Sequence, residues 1–138
     1  MRPGREPTTA QPASLNVRVG WASMVAGVLS GALIGTRFHR DAFMGGYESF
    51  SRRLVRLGHI SFFGLGILNV LYGLSAPAAA RQTQDVGGVG LVVGVATMPT
   101  VCFLTAWHKS FRHLFALPVV AVLLGVGGAC GRTWGRRS

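Results

Sequence analysis

The chain has 138 residues, room for one domain. Apolar residues make up 49% and charged residues 13%, with a mean hydropathy of +0.42; this excludes an ordinary soluble domain, where about a quarter of residues are charged. The formal net charge of +10 comes from 14 Lys and Arg against 4 Asp and Glu, and the basic residues flank apolar stretches instead of lining a basic-aromatic groove, so they read as headgroup contacts and no nucleic-acid partner is expected.

Four uncharged stretches stand out: Val19–Thr36, Leu57–Ala80, Val86–Trp107 and Leu114–Gly131. A helix rises about 1.5 Å per residue, so roughly 20 residues cross a hydrocarbon core of about 30 Å. Backbone in lipid must satisfy its own polar groups, which selects helix. The expected fold is an all-α membrane protein. It is a four-transmembrane-helix up-down bundle with a short interfacial amphipathic helix between helices 1 and 2.

In chain order, residues 1–16 carry Pro3, Pro7 and Pro12 among polar residues and read as a disordered basic tail. The transmembrane domain covers 17–131, with helices at about 17–36, 57–74, 87–107 and 114–131. Residues 132–138 form a basic C-terminal tail. Arg2, Arg5 and Arg18 before Val19–Leu33 have the layout of a signal peptide, yet no A-x-A-type cleavage site follows, so helix 1 is expected to be retained. Between helices 1 and 2, Phe43, Tyr47, Phe50, Leu54 and Leu57 recur at helical spacing. They predict an amphipathic helix over 47–56 that runs into helix 2, with Glu48 and Arg52 paired at i,i+4.

Short connections put both termini on one side, side B, and the 37–56 loop and 108–113 turn on the other, side A. Side B has Arg2, Arg5, Arg18, Arg81, Arg132, Arg136 and Arg137; side A has Arg37, Arg40, Arg52, Arg53, Arg56, Lys109 and Arg112. The two sides balance, so the positive-inside rule does not fix the orientation.

Small residues mark the packing faces. Helix 1 has Ser23, Gly27, Gly31 and Gly35 at spacing 4, a double GxxxG. Helix 4 repeats the theme with Ala121, Gly125 and Ala129. Helix 3 has Gly87, Gly90, Gly94, Thr97, Val101, Thr105 and His108 on one face, and helix 2 has His59, Phe62, Gly66, Asn69 and Gly73. Asn69, an amide in mid-span, is expected to hydrogen-bond across helices. Such faces suit association with other membrane helices, as a homo-oligomer or within a larger complex.

His39, His59, His108 and His113 all fall on side A. Imidazole ligates haem iron, copper and zinc, so His59 and His108, ending the inward faces of helices 2 and 3, are candidate ligands for a b-type haem. His39 and His113 are candidate substitutes for either. The bland alternative is that histidines are ordinary at a membrane boundary, and no spacing matches an established metal motif. Cys102 and Cys130 lie about 18 Å apart in depth, too far for a bridge. No nucleophile-base-acid set occurs, so no catalytic residue is assigned.

In size and number of spans the chain resembles the small multidrug-resistance exporters. Their proton coupling uses a membrane-embedded carboxylate, and none of the stretches quoted above has an internal Asp or Glu. The sequence is read first as a non-enzymatic packing or accessory subunit of a membrane assembly. A haem- or metal-binding electron-transfer protein and a small oligomeric transporter are the alternatives. A multi-pass protein of a bacterial inner membrane is the expected setting.

Overall fold

The computed structural model describes residues 14–75 and 85–134. Most of the expected N-terminal tail, the connection 76–84 and residues 135–138 lie outside the described residues. Four α-helices follow in order: α1, Leu15–Phe38; α2, Phe50–Ser75; α3, Val86–Trp107; and α4, Ala116–Trp134. A short 3-10 turn, Phe43–Gly45, lies between α1 and α2, and a longer one, Lys109–Phe115, leads into α4. All four long helices are apolar enough to cross a membrane, the mark of a multi-pass membrane protein. No strand occurs among the described residues.

Two helix starts differ from expectation. Helix α1 begins at Leu15, because the Ser14 hydroxyl accepts from the Val17 amide 3.5 Å away and closes the first turn. Asn16 therefore belongs to the helix and is buried, not part of a tail. Helix α2 begins at Phe50, two turns before the apolar stretch. Residues 47–49 are not helical, so the face from Phe43 to Leu57 is not one continuous helix: Leu54 is buried while Tyr47, Phe50 and Leu57 are exposed. Glu48 accordingly pairs with Arg53 at 2.7 Å and not with Arg52, whose side chain turns inward. At the other end Arg132 lies within α4, which runs to Trp134, so the basic tail starts later than expected.

Consecutive helices pack where side chains are smallest. Between α1 and α2, Gly20 lies on Gly66, Gly27 on Phe63 and Gly31 on His59. Between α2 and α3, Gly58 meets Cys102 and Phe103, and Tyr72 meets Gly87. Between α3 and α4, Gly90 lies against Ala121 and Gly125, and Gly87 against Gly128. In lipid there is no hydrophobic drive between helices, so van der Waals contact at such close approaches takes its place.

Helix α3 is the central element. Its most apolar window is 50% buried, against 17% for α1 and α4. Helix α1 packs mainly on α2 and α4 mainly on α3, leaving Val25, Leu29, Leu33, Val119 and Leu123 on outward faces. At Phe38–Phe43 a small aromatic cluster closes the α1–α2 connection, with ring centroids 6.0 Å apart. The turn then passes through Met44 at φ 55° and Gly45 and Gly46 at φ 83° and 92°. The glycines adopt this left-handed backbone without the steric cost a side chain brings.

The small-residue series on α1 is used unevenly. A methyl group at Gly20 would stand 2.5 Å from the Gly66 carbonyl oxygen, whereas no described residue lies within 4 Å of one at Gly35. Spacing 4 drifts around a 3.6-residue helix, which carries Gly35 off the interface. Gly20→Leu should therefore lower thermal stability in detergent by about 1–3 kcal/mol, the range for overpacking a tight contact. Gly35→Leu should leave the melting temperature of the isolated protein unchanged. Equal effects of the two substitutions would contradict this packing register.

Candidate functional site

Polar side chains gather at three levels, and each gathering begins from a local feature of sequence. Toward the end holding Ser14 and Asp85, Asn16 enters from the first turn of α1 and Asn69 from α2. Asn16 Nδ2 donates to Asn69 Oδ1 and to the Gly88 carbonyl, both at 2.9 Å. Asn69 Nδ2 donates to the carbonyls of Leu65, 2.9 Å away, and Leu91, 3.0 Å away. Asn69 is fully buried and Asn16 nearly so. Three helices are thus joined by side-chain amides in an apolar surrounding, where an unmade bond is expensive.

Beyond this level lies an ionic cluster. Asp85 caps α3, its carboxylate accepting from Gly88 N at 2.8 Å and from the Tyr72 hydroxyl at 2.7 and 2.9 Å. Arg132 of α4 donates to the same carboxylate, and its guanidinium sits 4.2 Å from the centre of the Tyr72 ring. Burial pushes the Asp85 carboxyl up, but the bonds from Tyr72, Gly88 and Arg132, with the Arg132 charge, more than offset it and hold it below the ordinary carboxylate range. The cluster joins α2, α3 and α4 where their ends meet.

The opposite end is organised by Arg52. Its side chain is 2% exposed. Nε donates to the Phe43 carbonyl at 2.7 Å, another guanidinium nitrogen donates to the Arg40 carbonyl, and the group lies 4.9 Å from the Phe38 ring centre. It adds a second donor to carbonyls of the α1–α2 connection that already accept from the backbone amides of Phe43 and Gly46. The Ser51 hydroxyl bonds to the Ala106 carbonyl at 2.9 Å, and Lys109 approaches the Phe50 ring at 6.0 Å. The 38–50 connection and the 107–115 turn therefore share one end of the molecule.

The four histidines do not converge. His59 turns toward α1: its Nδ1 lies 3.1 Å from the Ser30 hydroxyl and its ring packs edge-on against Phe63. His108 caps α3, is exposed and stands edge-on to Phe111. His39 caps α1 and His113 lies in the 3-10 turn, both exposed. The two rings expected to share a haem thus have different neighbours, because His59 is one residue past Gly58, which faces α3, and a step of about 100° turns it to α1. Among the described residues no group of three or more His, Cys, Asp or Glu could hold a metal ion. Cys102 is buried and Cys130 exposed.

The packing residues are placed more nearly as the sequence indicates. Ser23 donates to the Phe62 carbonyl at 2.7 Å; Gly66, Gly90 and Gly94 each face a neighbouring helix. Asn69 bonds across helices as expected. Asn16, Arg52 and the Tyr72–Asp85–Arg132 cluster are the polar residues that sequence reasoning missed. For Asp85 a signal was present: an Asp directly before a glycine-rich apolar helix has the form of an N-cap.

Comparison of the chain with protein-family models, with curated proteins and with solved structures gives no match.

Two outcomes follow. Asn69→Leu should cost about 1–2 kcal/mol of stability in detergent, the sum of several membrane hydrogen bonds of about 0.6 kcal/mol each. Combined with Asn16→Leu, the loss should be clearly less than additive, since both remove one shared bond; strict additivity in thermal unfolding would refute the coupling. For Asp85 the folded-state pKa is depressed. Its stabilising contribution is present above the ordinary carboxylate range and lost as the pH falls through the folded value. Melting temperature measured from pH 7 to pH 3 should fall less steeply in Asp85→Asn than in the unaltered protein.

Proposed function

We propose that this chain is a non-enzymatic subunit of a membrane assembly, a rigid up-down bundle of four spans that offers its outer helix faces to other membrane helices. The carrying observation is a division among the small residues of α4. Gly125 and Gly128 are occupied against α3, while Gly127 and Gly131, one turn apart, have no described residue within 4 Å. A pair of glycines four residues apart lets a second helix approach closely. Among the described residues the main partners of α4 are α3 and the turn that precedes α4, so this outer side is open to a neighbour.

The buried polar groups support the same reading. Asn16, Asn69, Tyr72, Asp85 and Arg52 all bond to other parts of the chain, which makes them fasteners between helices. In this setting residues 50–56 of α2, with exposed Phe50 and Arg53, lie at headgroup depth. The interfacial segment is thus the first two turns of a spanning helix.

The test is the mass of the particle extracted from membranes without detergent, in polymer-bounded lipid discs. The unaltered chain should run in a complex larger than its own 14.6 kDa. Gly127→Ile together with Gly131→Ile should shift it toward the monomer while the purified chain keeps its melting temperature. An unaltered chain found only as a monomer would overturn the proposal.

A further inference from the structure

The 3-10 turn between α3 and α4 holds a second feature, independent of any assembly. Lys109, Ser110, Arg112 and His113 surround a cavity of about 280 Å³ on the surface of that turn. All four residues are exposed. The ion pairs among the described residues are Arg53 with Glu48 and Arg132 with Asp85, so Lys109 and Arg112 carry charge that no carboxylate of the described chain neutralises. These four residues border the cavity, and a hydroxyl, an ammonium, a guanidinium and an imidazole are donors of the kind that phosphate oxygens accept from.

The turn has a fixed depth. It joins the end of one spanning helix to the start of the next, with Trp107 84% exposed just before it. Tryptophan at a helix end sits in the headgroup zone. From the turn an apolar groove of about 400 Å³ runs along α3 and α4, beginning at Leu117, one helical turn after His113, and passing Val120, Leu124 and Val93. The groove ends at Asp85 and Val86 at the far end of α3, and its near end, Leu117, stands four residues after the last residue of the basic cavity.

We propose that this is a binding site for one anionic phospholipid, with its phosphodiester held by Lys109, Ser110, Arg112 and His113 and an acyl chain lying along the groove from Leu117. Charge complementarity selects the anionic headgroup, and the apolar groove selects a lipid over a free anion. Each basic residue near such a headgroup is worth about 1 kcal/mol, a factor of about five in affinity.

Native mass spectrometry of the purified chain in a neutral detergent reads this directly. Phosphatidylglycerol should be retained as a single adduct, at least tenfold more strongly than phosphatidylcholine. Lys109→Gln with Arg112→Gln should weaken retention by about 30-fold, with the melting temperature of the variant measured beside it to show that it is folded. Arg37→Gln with Arg40→Gln removes the same charge from the other connection at this end and should leave retention within about threefold. Three results would overturn the site: equal retention of the two lipids, equal losses in the two double variants, or displacement of phosphatidylglycerol by an equal concentration of inorganic phosphate. The first would leave ordinary solvation by lipid, the second a diffuse potential of the whole basic end, and the third a site for free phosphate.

Discussion

Asn69 sits at the point where three helices meet, with its amide nitrogen shared between two carbonyls and its oxygen taken by Asn16. An amide placed among apolar side chains must find these partners or bear the cost of burying unpaired polar atoms. Meeting that demand requires α1 and α3 to come within reach of α2 at one level. The helices can do so only because Gly20, Gly66, Gly87 and Gly88 present no side chain there. The hydrogen bonds and the glycines are therefore one device. The bonds fix the rotation of each helix, and the glycines permit the approach.

Once that rotation is set, the other faces follow. Gly58 turns to α3 and His59 to α1, so the ring of His59 fills the space above Gly31. On α3, Gly87, Gly90 and Gly94 are directed at α2 or α4, which makes α3 the centre and the rest of the bundle a shell around it. Each end of the molecule is closed by a charge that reaches inward. Arg52 gathers the carbonyls of the first connection, and Asp85 gathers donors from the backbone of α3 and from α2 and α4. Charge is tolerated there because each of these two groups meets donors or acceptors of the chain, in line with the cost of leaving one bare.

The spans and the packing faces of α2 and α3 were legible in the sequence, since absence of charge and recurrence of small residues are local signals. Register was not. A spacing of four residues looks like one face, but it drifts by about 40° at each step on a 3.6-residue helix. Gly27 therefore meets Phe63 while Gly35 meets no described residue. His59 and His108 have different neighbours for the same reason: proximity in depth is readable from a span, and direction around the helix axis is not. Arg52 resembles its neighbours Arg53 and Arg56 in composition, and differs from them in being buried, with its guanidinium turned inward onto the Phe43 and Arg40 carbonyls. Asn16 lay within a proline-containing tail until the Ser14 cap drew it into α1.

The outer surface carries a different logic from the interior. Apolar residues facing lipid gain nothing by leaving it, because lipid tails are as apolar as leucine. Exposed Leu33, Leu71 and Leu123 are therefore a neutral boundary and give no drive to associate. What distinguishes one outer face from another is shape and charge. Helix α4 offers the shape, with Gly127 and Gly131 flat on its outer side, and the turn before it offers the charge. Both belong to a helix little enclosed by the rest of the described chain, since α3 is its one extensive support. A bundle fastened at the Asn16–Asn69 level and at the Asp85 cluster can hold that helix in place from one side alone, with the other side uncovered by the described chain.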